Sequence, residues 1–416
     1  MAQACLLAML TRARYGLPLA TVLIEVAQCA VGAFEPLGWQ TVLPQYENRD
    51  YLSTRPRTRY SHTATVVGDE LVLAFGYFND RVDGGGPTWL SDVWAWRQPK
   101  PAEPDDDAEP ASWSQVWSAA SAVGPGPQPR TNHAAVALTA STLVIIGGKG
   151  KSEDSLNDAW QLDVGSGTWK QLGDGIAVKP SPRSCFSAAL LLDPATFEPT
   201  LVIYGGFHLG DTWAFSFTHE SWRLLVDEPD GETVHPGIRA AHSAVADEGG
   251  SAMFVYGGMR FQEDVDIGSR QAYGKLDDLW QYSLRMNEWR EMPQAQLLGG
   301  RIFFGMFLLP GDNQGGAVLG VHGGSHCNPK CSLDASLLVA PLEVAARNST
   351  AKVSWSKLEV DPEPRGRYHH TVTYHDGALW LLGGESYEPI IYYNSVLRLP
   401  LDTKHLSQGI ASRSEL

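Results

Sequence analysis

The fold is decided by a stretch of short apolar runs that reads RTNHAAVALTASTLVIIGGKGKSEDSLNDAWQLDVGSGTWKQL, residues 130–172. Turn-forming Gly, Ser, Asn and Asp residues separate four segments that are rich in aliphatic and aromatic side chains. Short segments with this punctuation are typical of β-strands joined by tight turns. The stretch therefore predicts one four-stranded antiparallel sheet.

Four signatures of this stretch recur along the chain and define six repeats. The first is an Arg three residues before an aromatic ring, at Arg59, Arg130, Arg183, Arg239, Arg301 and Arg367. The second is a strand that ends in Gly-Gly, at 147–148, 205–206, 257–258, 323–324 and 383–384, whereas the first repeat has the single Gly76. The third is Asp-x-Trp, at 92–94, 158–160, 211–213 and 278–280, which repeats 5 and 6 replace by Ser-Leu-Leu and Ser-Val-Leu at 336–338 and 395–397. The fourth is a lone Trp, at Trp113, Trp169, Trp222, Trp289 and Trp355.

This combination of signatures resembles the kelch repeat, and the resemblance covers residues 34–400. It implies an all-β fold, a six-bladed β-propeller in which each repeat forms one blade. We expect the blades at approximately 56–117, 127–172, 180–225, 237–292, 299–358 and 365–400 plus 37–42. The remaining segments are a leader at 1–33 and a C-terminal tail at 401–416.

The sixth repeat lacks the lone Trp of its outer strand, but a segment near the N-terminus, Leu37–Val42, contains Trp39. We expect this segment to be the fourth strand of the sixth blade. Such a strand would close the ring and remove the sheet edges that an open array exposes.

We call one face of the expected propeller the loop face, because it carries the loops before the first strands and the loops after the Gly pairs. All six arginines should form a ring there. Repeats 1–4 are predicted to hold structural Arg-Asp pairs, since an Asp begins their third strands on the same face: Arg59, Arg130, Arg183 and Arg239 with Asp92, Asp158, Asp211 and Asp278. Repeats 5 and 6 lack this Asp. We therefore hypothesise that Arg301 and Arg367 have no carboxylate partner, point to the central mouth and bind an acidic ligand.

The loops after the second strands vary most in sequence between repeats, and variable loops on a rigid scaffold commonly carry function. They contain aromatic and basic residues that can anchor a ligand: Tyr77, Phe78, Phe207, His208, Arg260, Phe261 and Tyr387. The alternative is that several of these rings pack under their own loops. Together with the arginines, they predict a non-enzymatic propeller that binds a protein or peptide through the loop face.

Composition and motifs favour a binding module. The net charge of −15, with Lys and Arg scattered singly, argues against a nucleic-acid partner. No Gly-x-Ser-x-Gly, His-Glu-x-x-His or phosphate-binding loop occurs, so we predict no catalytic residues, no metal and no cofactor. The kelch resemblance leaves one alternative, a galactose-oxidase-like or other propeller enzyme acting on a sugar or small substrate. It would need Cys185 or the Cys327 pair for its tyrosine–cysteine cofactor.

One histidine stands at the same position in each of four repeats, at His62, His133, His242 and His370. Residues repeated around a ring are more often structural than catalytic, so we expect these to be buried packing histidines. Cys327 and Cys331 can form a local disulfide or, with His322 or His326, half of a metal site.

The leader carries Arg12 and Arg14, then an apolar run that ends in the small residues Val31-Gly32-Ala33. This pattern favours a cleaved signal peptide and a secreted or secretory-pathway protein. A cytoplasmic or organellar location is the alternative, because Glu25 interrupts the run. Asn348-Ser349-Thr350 is a glycosylation acceptor, and no uncharged run is long enough to predict a transmembrane helix.

Overall fold

A computed structural model describes residues 37–44, 54–79, 86–97, 112–122, 124–227, 234–261, 273–311, 316–327, 331–342, 352–387 and 389–401. Within these ranges the chain is all-β, without an α-helix, and no helix there could span a membrane. The leader, Asn348 and the tail beyond residue 401 lie outside the described residues, so signal-peptide cleavage and glycosylation remain predictions.

The strands of the N-terminal half are numbered in chain order. One precedes the repeats, β1 (Gln40–Leu43). Repeat 1 contains β2 (Thr63–Val67), β3 (Glu70–Ala74), β4 (Tyr77–Asn79), β5 (Pro87–Trp89), β6 (Asp92–Arg97) and β7 (Ser112–Ser118). Repeat 2 contains β8 (Arg130–Thr131), β9 (Ala134–Thr139), β10 (Thr142–Gly150), β11 (Ser155–Asp163) and β12 (Thr168–Leu172). Repeat 3 contains β13 (Ser187–Leu192), β14 (Pro199–Gly206), β15 (Leu209–Ser216) and β16 (Ser221–Val226).

The C-terminal half continues the same pattern. Repeat 4 contains β17 (Ser243–Ala246), β18 (Ala252–Tyr256), β19 (Met259–Phe261), β20 (Tyr273–Lys275), β21 (Leu279–Ser283) and β22 (Glu288–Met292). Repeat 5 contains β23 (Arg301–Ile302), β24 (Gly305–Leu309), β25 (Val318–His322), β26 (Ser325–Cys327), β27 (Cys331–Leu333), β28 (Leu337–Pro341) and β29 (Ser356–Leu358). Repeat 6 contains β30 (Thr371–His375), β31 (Ala378–Leu382), β32 (Glu385–Tyr387), β33 (Ile390–Tyr392) and β34 (Val396–Pro400).

Each repeat forms an antiparallel sheet of four main strands, from an inner first strand to an outer fourth strand. The strands follow chain order in the first five sheets, whereas the fourth strand of the sixth sheet is β1. The orders are β2-β3-β6-β7, β9-β10-β11-β12, β13-β14-β15-β16, β17-β18-β21-β22, β24-β25-β28-β29 and β30-β31-β34-β1. Short hairpins such as β4–β5 and β32–β33 extend the loops after the second strands. Side chains on successive strand residues alternate between the two faces of a sheet, so every sheet offers an apolar surface to both neighbours.

The outer strand of the sixth sheet comes from the N-terminal end of the described chain. Gln40 and Thr41 pair antiparallel with Arg398 and Leu397 of β34. Trp39, just before this strand, is buried, and its ring meets that of His322 edge-on at 5.6 Å.

Two sets of backbone hydrogen bonds connect the sheets. In the first set, the residue two positions after each repeat's arginine donates its N–H to the carbonyl of the corresponding residue in the preceding repeat, over 2.8–3.1 Å. The six residues are Ser61, Asn132, Cys185, Ala241, Phe303 and His369. Ser61 accepts from Asn132 and donates to His369, so the bonds run in a cycle that returns to its start. In the second set, the second Gly of each pair, or Gly76 in repeat 1, donates its N–H to the Arg carbonyl of the next repeat over 2.9–3.1 Å.

The Gly pairs let two layers approach closely. A Cβ on Gly383 would lie 2.5 Å from the His62 ring of the adjacent repeat, and a Cβ on Gly384 would lie 2.7 Å from Cβ of His370 in its own repeat. The first Gly of a pair therefore leaves space for a side chain of the neighbouring sheet. The second Gly leaves space for the residues just before the first strand of its own sheet. In repeat 1 the first Gly of the pair is replaced by Phe75. The Phe75 ring packs against the His133 ring of repeat 2, with the centroids 5.7 Å apart.

The apolar core lies between the sheets and not within any single one. The cluster between repeats 1 and 2 joins Phe75 and Trp117 to Leu143, Trp160 and Trp169. Similar clusters join repeats 2 and 3, 3 and 4, 4 and 5, and 6 and 1. Because each sheet buries its apolar faces only against its neighbours, the repeats stabilise one another.

Candidate binding site on the loop face

All six arginines of the repeats are buried, with at most 3% of each residue exposed. Each donates from Nη1 to the carbonyl of the first Gly of the pair in its own repeat, or of Phe75 in repeat 1, over 2.8–3.2 Å. The ring of arginines therefore fixes the loops of the loop face from below, and its guanidinium groups do not line the surface.

In repeats 1–4 a carboxylate completes each arginine site. Arg59, Arg130, Arg183 and Arg239 each donate to both oxygens of Asp92, Asp158, Asp211 and Asp278, respectively, over 2.7–3.0 Å. The Trp two residues after each Asp donates its indole N–H to the same carboxylate over 2.6–2.7 Å. This contact explains the spacing of Asp-x-Trp, because residues i and i+2 of a strand lie on one face.

The pKa of Asp158 reflects competing causes. Burial alone would raise the pKa of Asp158, but the hydrogen bonds and charge of Arg130, with the Trp160 indole, outweigh it and lower the pKa. The carboxylate is therefore ionised and paired, as a structural site requires.

The hypothesis that Arg301 lacks a carboxylate partner is wrong. Its Nη2 lies 3.3 Å from Oδ2 of Asp334, and Ser336 donates its hydroxyl and its N–H to that carboxylate. Asp334 stands two residues before the position that Asp-x-Trp occupies elsewhere, so a search at the equivalent position misses it. The signal that could have found it is the acidic residue two positions before the substituted Ser336.

Arg367 has no carboxylate partner within the described residues, but it does not point to the mouth. Its guanidinium carbon lies 3.9 Å from the centroid of the Tyr393 ring, and it donates to the carbonyls of Arg365 and Gly383. Burial lowers the pKa of Arg367 to about 10. The part of the hypothesis that aims Arg301 and Arg367 at the mouth is therefore wrong, because backbone carbonyls draw both guanidinium groups inward.

The mouth of the loop face is formed by the six residues of the first hydrogen-bond cycle, Ser61, Asn132, Cys185, Ala241, Phe303 and His369. All have left-handed backbones with φ between 51° and 57°. Together with residues just below them they line a cavity of about 170 Å³. Repeats 2–4 contribute small side chains to the mouth, whereas repeats 5 and 6 contribute two rings.

Aromatic rings continue outward from this side of the mouth and form what we call the aromatic cluster: Phe303, Tyr368, His369, Tyr392, Tyr60, Tyr77, Trp89 and Tyr387. Tyr60 stacks on Tyr392 with centroids 5.6 Å apart and meets Tyr77 edge-on at 5.2 Å. Tyr77 in turn meets Trp89 at 4.7 Å across the β4–β5 hairpin. All eight rings are half-buried, so each keeps part of its surface available to a ligand.

His369 lies at the centre of the cluster. Its ring is packed against Phe303 at 3.8 Å and Tyr368 at 4.6 Å. Its Nδ1 lies 3.0 Å from Oε1 of Glu385, and both side chains are less than 15% exposed. Burial first, and then the charge of Glu385, raise the pKa of Tyr60 and of Tyr368, so these phenols stay neutral.

The four recurring histidines lie in the interior. His133 and His242 face the hydroxyls of Thr63 and Ser187 in the preceding repeat at 2.9 and 2.8 Å. Burial, followed by the charge of the adjacent arginine, lowers the pKa of each to about 3. They are therefore neutral side chains that connect neighbouring repeats.

The remaining candidate residues on the loops are placed differently from one another. Phe78 is 1% exposed and lies under Arg57 at 4.9 Å, so its proposed role as an exposed anchor is wrong. Phe207, at 38% exposure, and His208 are exposed in the tight turn between β14 and β15, and Arg260 is exposed on β19. These three do not belong to the aromatic cluster, and the side chain of Phe261 lies outside the described part.

Cys327 and Cys331 face each other in register across the β26–β27 hairpin, but their side chains are not among the described ones, so the disulfide remains a prediction. Cys185, one of the six mouth residues, is a buried free thiol, and burial raises its pKa to about 12. No group of three or more His, Cys, Asp or Glu side chains suited to a metal occurs among the described residues. His322 is buried, with its Nδ1 3.1 Å from Nε2 of His370.

Comparisons with known proteins agree with this architecture. The family model of the KLHDC2/KLHL20/DRC7 Kelch-repeats domain matches residues 38–190 and 112–301. An F-box/kelch-repeat protein of Arabidopsis thaliana is 30% identical over 219 residues, which are 50% of this chain and 41% of that protein. Acyl-CoA-binding domain-containing protein 4 of the same plant is 25% identical over 49% of this chain and 35% of its own. Human Host cell factor 1 is 31% identical over 46% of this chain and 10% of its own.

The chain thus spans less than half the length of each of these relatives. The family model covers more than half of the 416 residues, and the Gly pairs, Arg sites and four-stranded sheets recur throughout the described part. The chain belongs to the kelch-repeat family, with the β-propeller fold of its repeats.

Proposed function

We propose that this protein is a non-enzymatic, six-bladed kelch propeller that binds a protein or peptide ligand on its loop face, at the aromatic cluster. The observation that carries the proposal is the set of eight half-buried rings on one side of the mouth. Rings with restricted side-chain freedom give a ligand a large contact area at low entropic cost, and aromatic residues are enriched at binding hot spots.

The closed, six-bladed form of the ring is part of this proposal. Three observations support it: the cyclic order of hydrogen bonds through Ser61 and His369, the pairing of β1 with β34, and contacts between first strands in the order β2, β9, β13, β17, β24, β30 and back to β2. A closed ring holds the mouth residues rigidly, and rigid scaffolds lose little conformational entropy on binding.

The arginine ring serves this function indirectly. Each guanidinium holds the carbonyl at the base of the loop after the second strand, and those loops carry Tyr77, Trp89, Tyr387 and Tyr392. The arginines therefore position the binding loops, which preorganises the rings that a ligand would contact.

Affinity capture tests the proposal. We would immobilise the wild-type propeller and the double variant Tyr60→Ala/Tyr392→Ala, identify retained proteins by mass spectrometry and measure their binding with purified components. A genuine partner should lose at least about ten-fold in affinity for the double variant, as expected for two hot-spot rings. Phe197→Ala is the matched control, because Phe197 is 73% exposed in the β13–β14 turn at the opposite end of the strands. Partners that bind all three proteins equally would contradict the proposal.

We also propose the secretory pathway as the location of the protein, on the strength of the leader and of Asn348. Expression of the full chain in a eukaryotic cell line tests this. N-terminal sequencing of the protein in the medium should begin near residue 34, and a glycosidase should shift the wild type but not Asn348→Gln. Retention of the whole chain in the cytosol would contradict it.

A further inference from the structure

A second concave surface lies beside the aromatic cluster, between the β26–β27 hairpin of repeat 5 and the β32–β33 hairpin of repeat 6. We call it the repeat 5–6 cleft. Its volume is about 560 Å³, and its lining residues are Ser332, Leu333, Arg365, Gly366, Ser386, Tyr387, Pro389, Ile391 and Tyr393. This volume is in the range that accommodates one or two ligand side chains.

The β32–β33 hairpin separates the cleft from the mouth. Glu385 and Tyr392 pair across the hairpin and belong to the side that faces His369 and Tyr60. Ser386 and Ile391, the next pair, line the cleft. Successive strand residues point to opposite faces, so one hairpin serves two surfaces.

The charge at the cleft is positive and uncompensated among the described residues. Arg365 is exposed on its wall and forms no ion pair there. Arg367, beneath the ring of Tyr393, has no carboxylate partner in the same part of the chain. Two acids on the neighbouring loops are engaged elsewhere, since Asp334 pairs with Arg301 and Glu385 contacts His369.

Two hydroxyls of the cleft walls also lack partners. The phenol oxygens of Tyr387 and Tyr393 are buried and have no hydrogen bond within the described residues, and Tyr393 as a whole is 6% exposed. A buried hydroxyl without a partner is unfavourable, and an oxygen-rich ligand that reaches it relieves that cost. The other walls, Leu333, Pro389 and Ile391, are apolar.

We propose that the repeat 5–6 cleft binds an acidic side chain, Asp or Glu, next to an apolar residue in a peptide segment of a partner protein. Arg365 donates to the carboxylate, the buried charge of Arg367 favours it from below, and the apolar neighbour packs on Leu333 and Ile391. The inference rests on the proposed function in one respect, that the ligand is a polypeptide, and it concerns a surface outside the mouth that shares only Tyr387 with the aromatic cluster.

A peptide selection tests the cleft directly. The probe is a soluble library of random heptapeptides that are N-acetylated and C-amidated, so that side chains are the only source of carboxylates. Peptides retained by the immobilised full chain are sequenced by mass spectrometry and resynthesised for affinity measurement. We expect enrichment of Asp or Glu beside Leu, Ile, Val or Phe, and at least about ten-fold weaker binding of these peptides to Arg365→Glu.

Two control variants distinguish binding in the cleft from a general charge effect and from binding at the mouth. Arg285→Glu makes the same charge change at an exposed arginine in the β21–β22 turn, at the opposite end of the strands, and should bind the peptides like the wild type. Tyr60→Ala should do so as well, because Tyr60 belongs to the aromatic cluster and does not line the cleft. Free-acid versions of non-acidic heptapeptides show whether a terminal carboxylate replaces the side chain.

Several results would overturn the inference. They are the absence of acidic enrichment, retention that Arg285→Glu reduces as much as Arg365→Glu, a preference for a terminal carboxylate over side chains, or no retained peptide at all. None of them contradicts the proposed function, since capture of folded partners at the aromatic cluster is measured with the Tyr60 and Tyr392 variants.

Discussion

Repeats 2–4 and repeats 5, 6 and 1 meet at one mouth but are built differently. Three features occur together only in repeats 2–4: the arginine has an Asp with both oxygens engaged, the repeat has a Gly pair, and the mouth residue (Asn132, Cys185 or Ala241) is small. Each of the other repeats departs from this pattern. In repeat 5, Asp334 pairs with the arginine from two positions upstream of the usual Asp; in repeat 6, Arg367 stacks on Tyr393; in repeat 1, Phe75 replaces the first glycine of the pair. The aromatic cluster and the repeat 5–6 cleft are both on this irregular side. We therefore interpret the departures from the repeat as the features that distinguish the two proposed binding surfaces from the rest of the scaffold.

The largest effect on stability is expected in repeats 2–4, which we call the regular side. Asp211→Ala removes the carboxylate of the most buried pair and leaves Arg183, which is 2% exposed, without a counter-charge. It should lower the free energy of unfolding by about 3–5 kcal/mol. Asp334→Ala in repeat 5 should cost clearly less, because Arg301 makes a single longer contact to it. Denaturant unfolding of both variants measures the difference, and equal losses would show that the two sites are equivalent.

Acid should destabilise the folded protein through its buried histidines. Burial and the charge of Arg239 lower the pKa of His242 to about 3, whereas an unfolded histidine titrates near 6.5. Between these pH values the unfolded chain binds a proton that the folded chain does not. Stability should therefore fall as the pH drops below 6.5, by at most about 1.4 kcal/mol per pH unit for each such histidine.

His242→Phe tests this on the regular side, since repeats 3 and 5 already have Phe186 and Phe304 at the equivalent position over a glycine. The variant should lose part of the acid sensitivity seen in denaturant titrations between pH 7 and pH 4. An unchanged slope would mean that His242 is accessible to protons in the folded state.

Binding should depend on the irregular side. Tyr60→Ala is expected to weaken a partner captured at the mouth by about 2 kcal/mol, the scale of an aromatic hot spot. Asn132→Ala, at the mouth in repeat 2, should change the affinity by less than about 0.5 kcal/mol, since it removes no ring. Calorimetric titration of the two variants makes the comparison, and a larger loss for Asn132→Ala would place the ligand on the opposite side.

The smallest effect concerns the wall of the cleft. Tyr393→Phe removes a buried hydroxyl that has no hydrogen bond within the described residues and keeps the ring over Arg367. The stability of the free protein should stay the same or rise by up to about 1 kcal/mol. A thermal unfolding scan measures it. Clear destabilisation would reveal a partner for this hydroxyl, and Tyr256→Phe, whose hydroxyl is also buried and without a hydrogen bond among the described residues, is the matched control.

The sequence was most informative where the chain repeats itself. The four apolar segments of each repeat predicted four strands. The missing Trp of repeat 6 predicted that a segment around Trp39 supplies its outer strand, which pairs as β1 with β34. It was least informative where a repeat is broken. The loss of Asp-x-Trp in repeat 5 predicted an unpaired Arg301, but a carboxylate two residues upstream reaches the same guanidinium, because a loop can place either residue there.

The candidate site shows the same limit. Tyr77 and Tyr387 were predicted as ligand contacts and belong to the aromatic cluster, whereas Phe78, one residue from Tyr77, is buried. Successive side chains of β4 point to opposite faces, so Tyr77 and Phe78 have different environments. Which of the two is buried depends on how β4 pairs with its hairpin partner β5. Tyr60, His369 and Glu385 were not predicted at all, because they come from different loops and meet only when repeats 6 and 1 lie side by side.

The sequence by itself determined the strands, the six-fold repetition and the residues that make each repeat alike. These follow from local physics: apolar alternation, left-handed glycines and an Arg-Asp-Trp spacing that operates inside one sheet. Only the tertiary structure decided which side of the mouth is aromatic, which arginine lacks a carboxylate among the described residues and where a cleft opens. Those properties depend on contacts between residues far apart in the chain, and a repeated local pattern contains no information about which irregularities end up as neighbours.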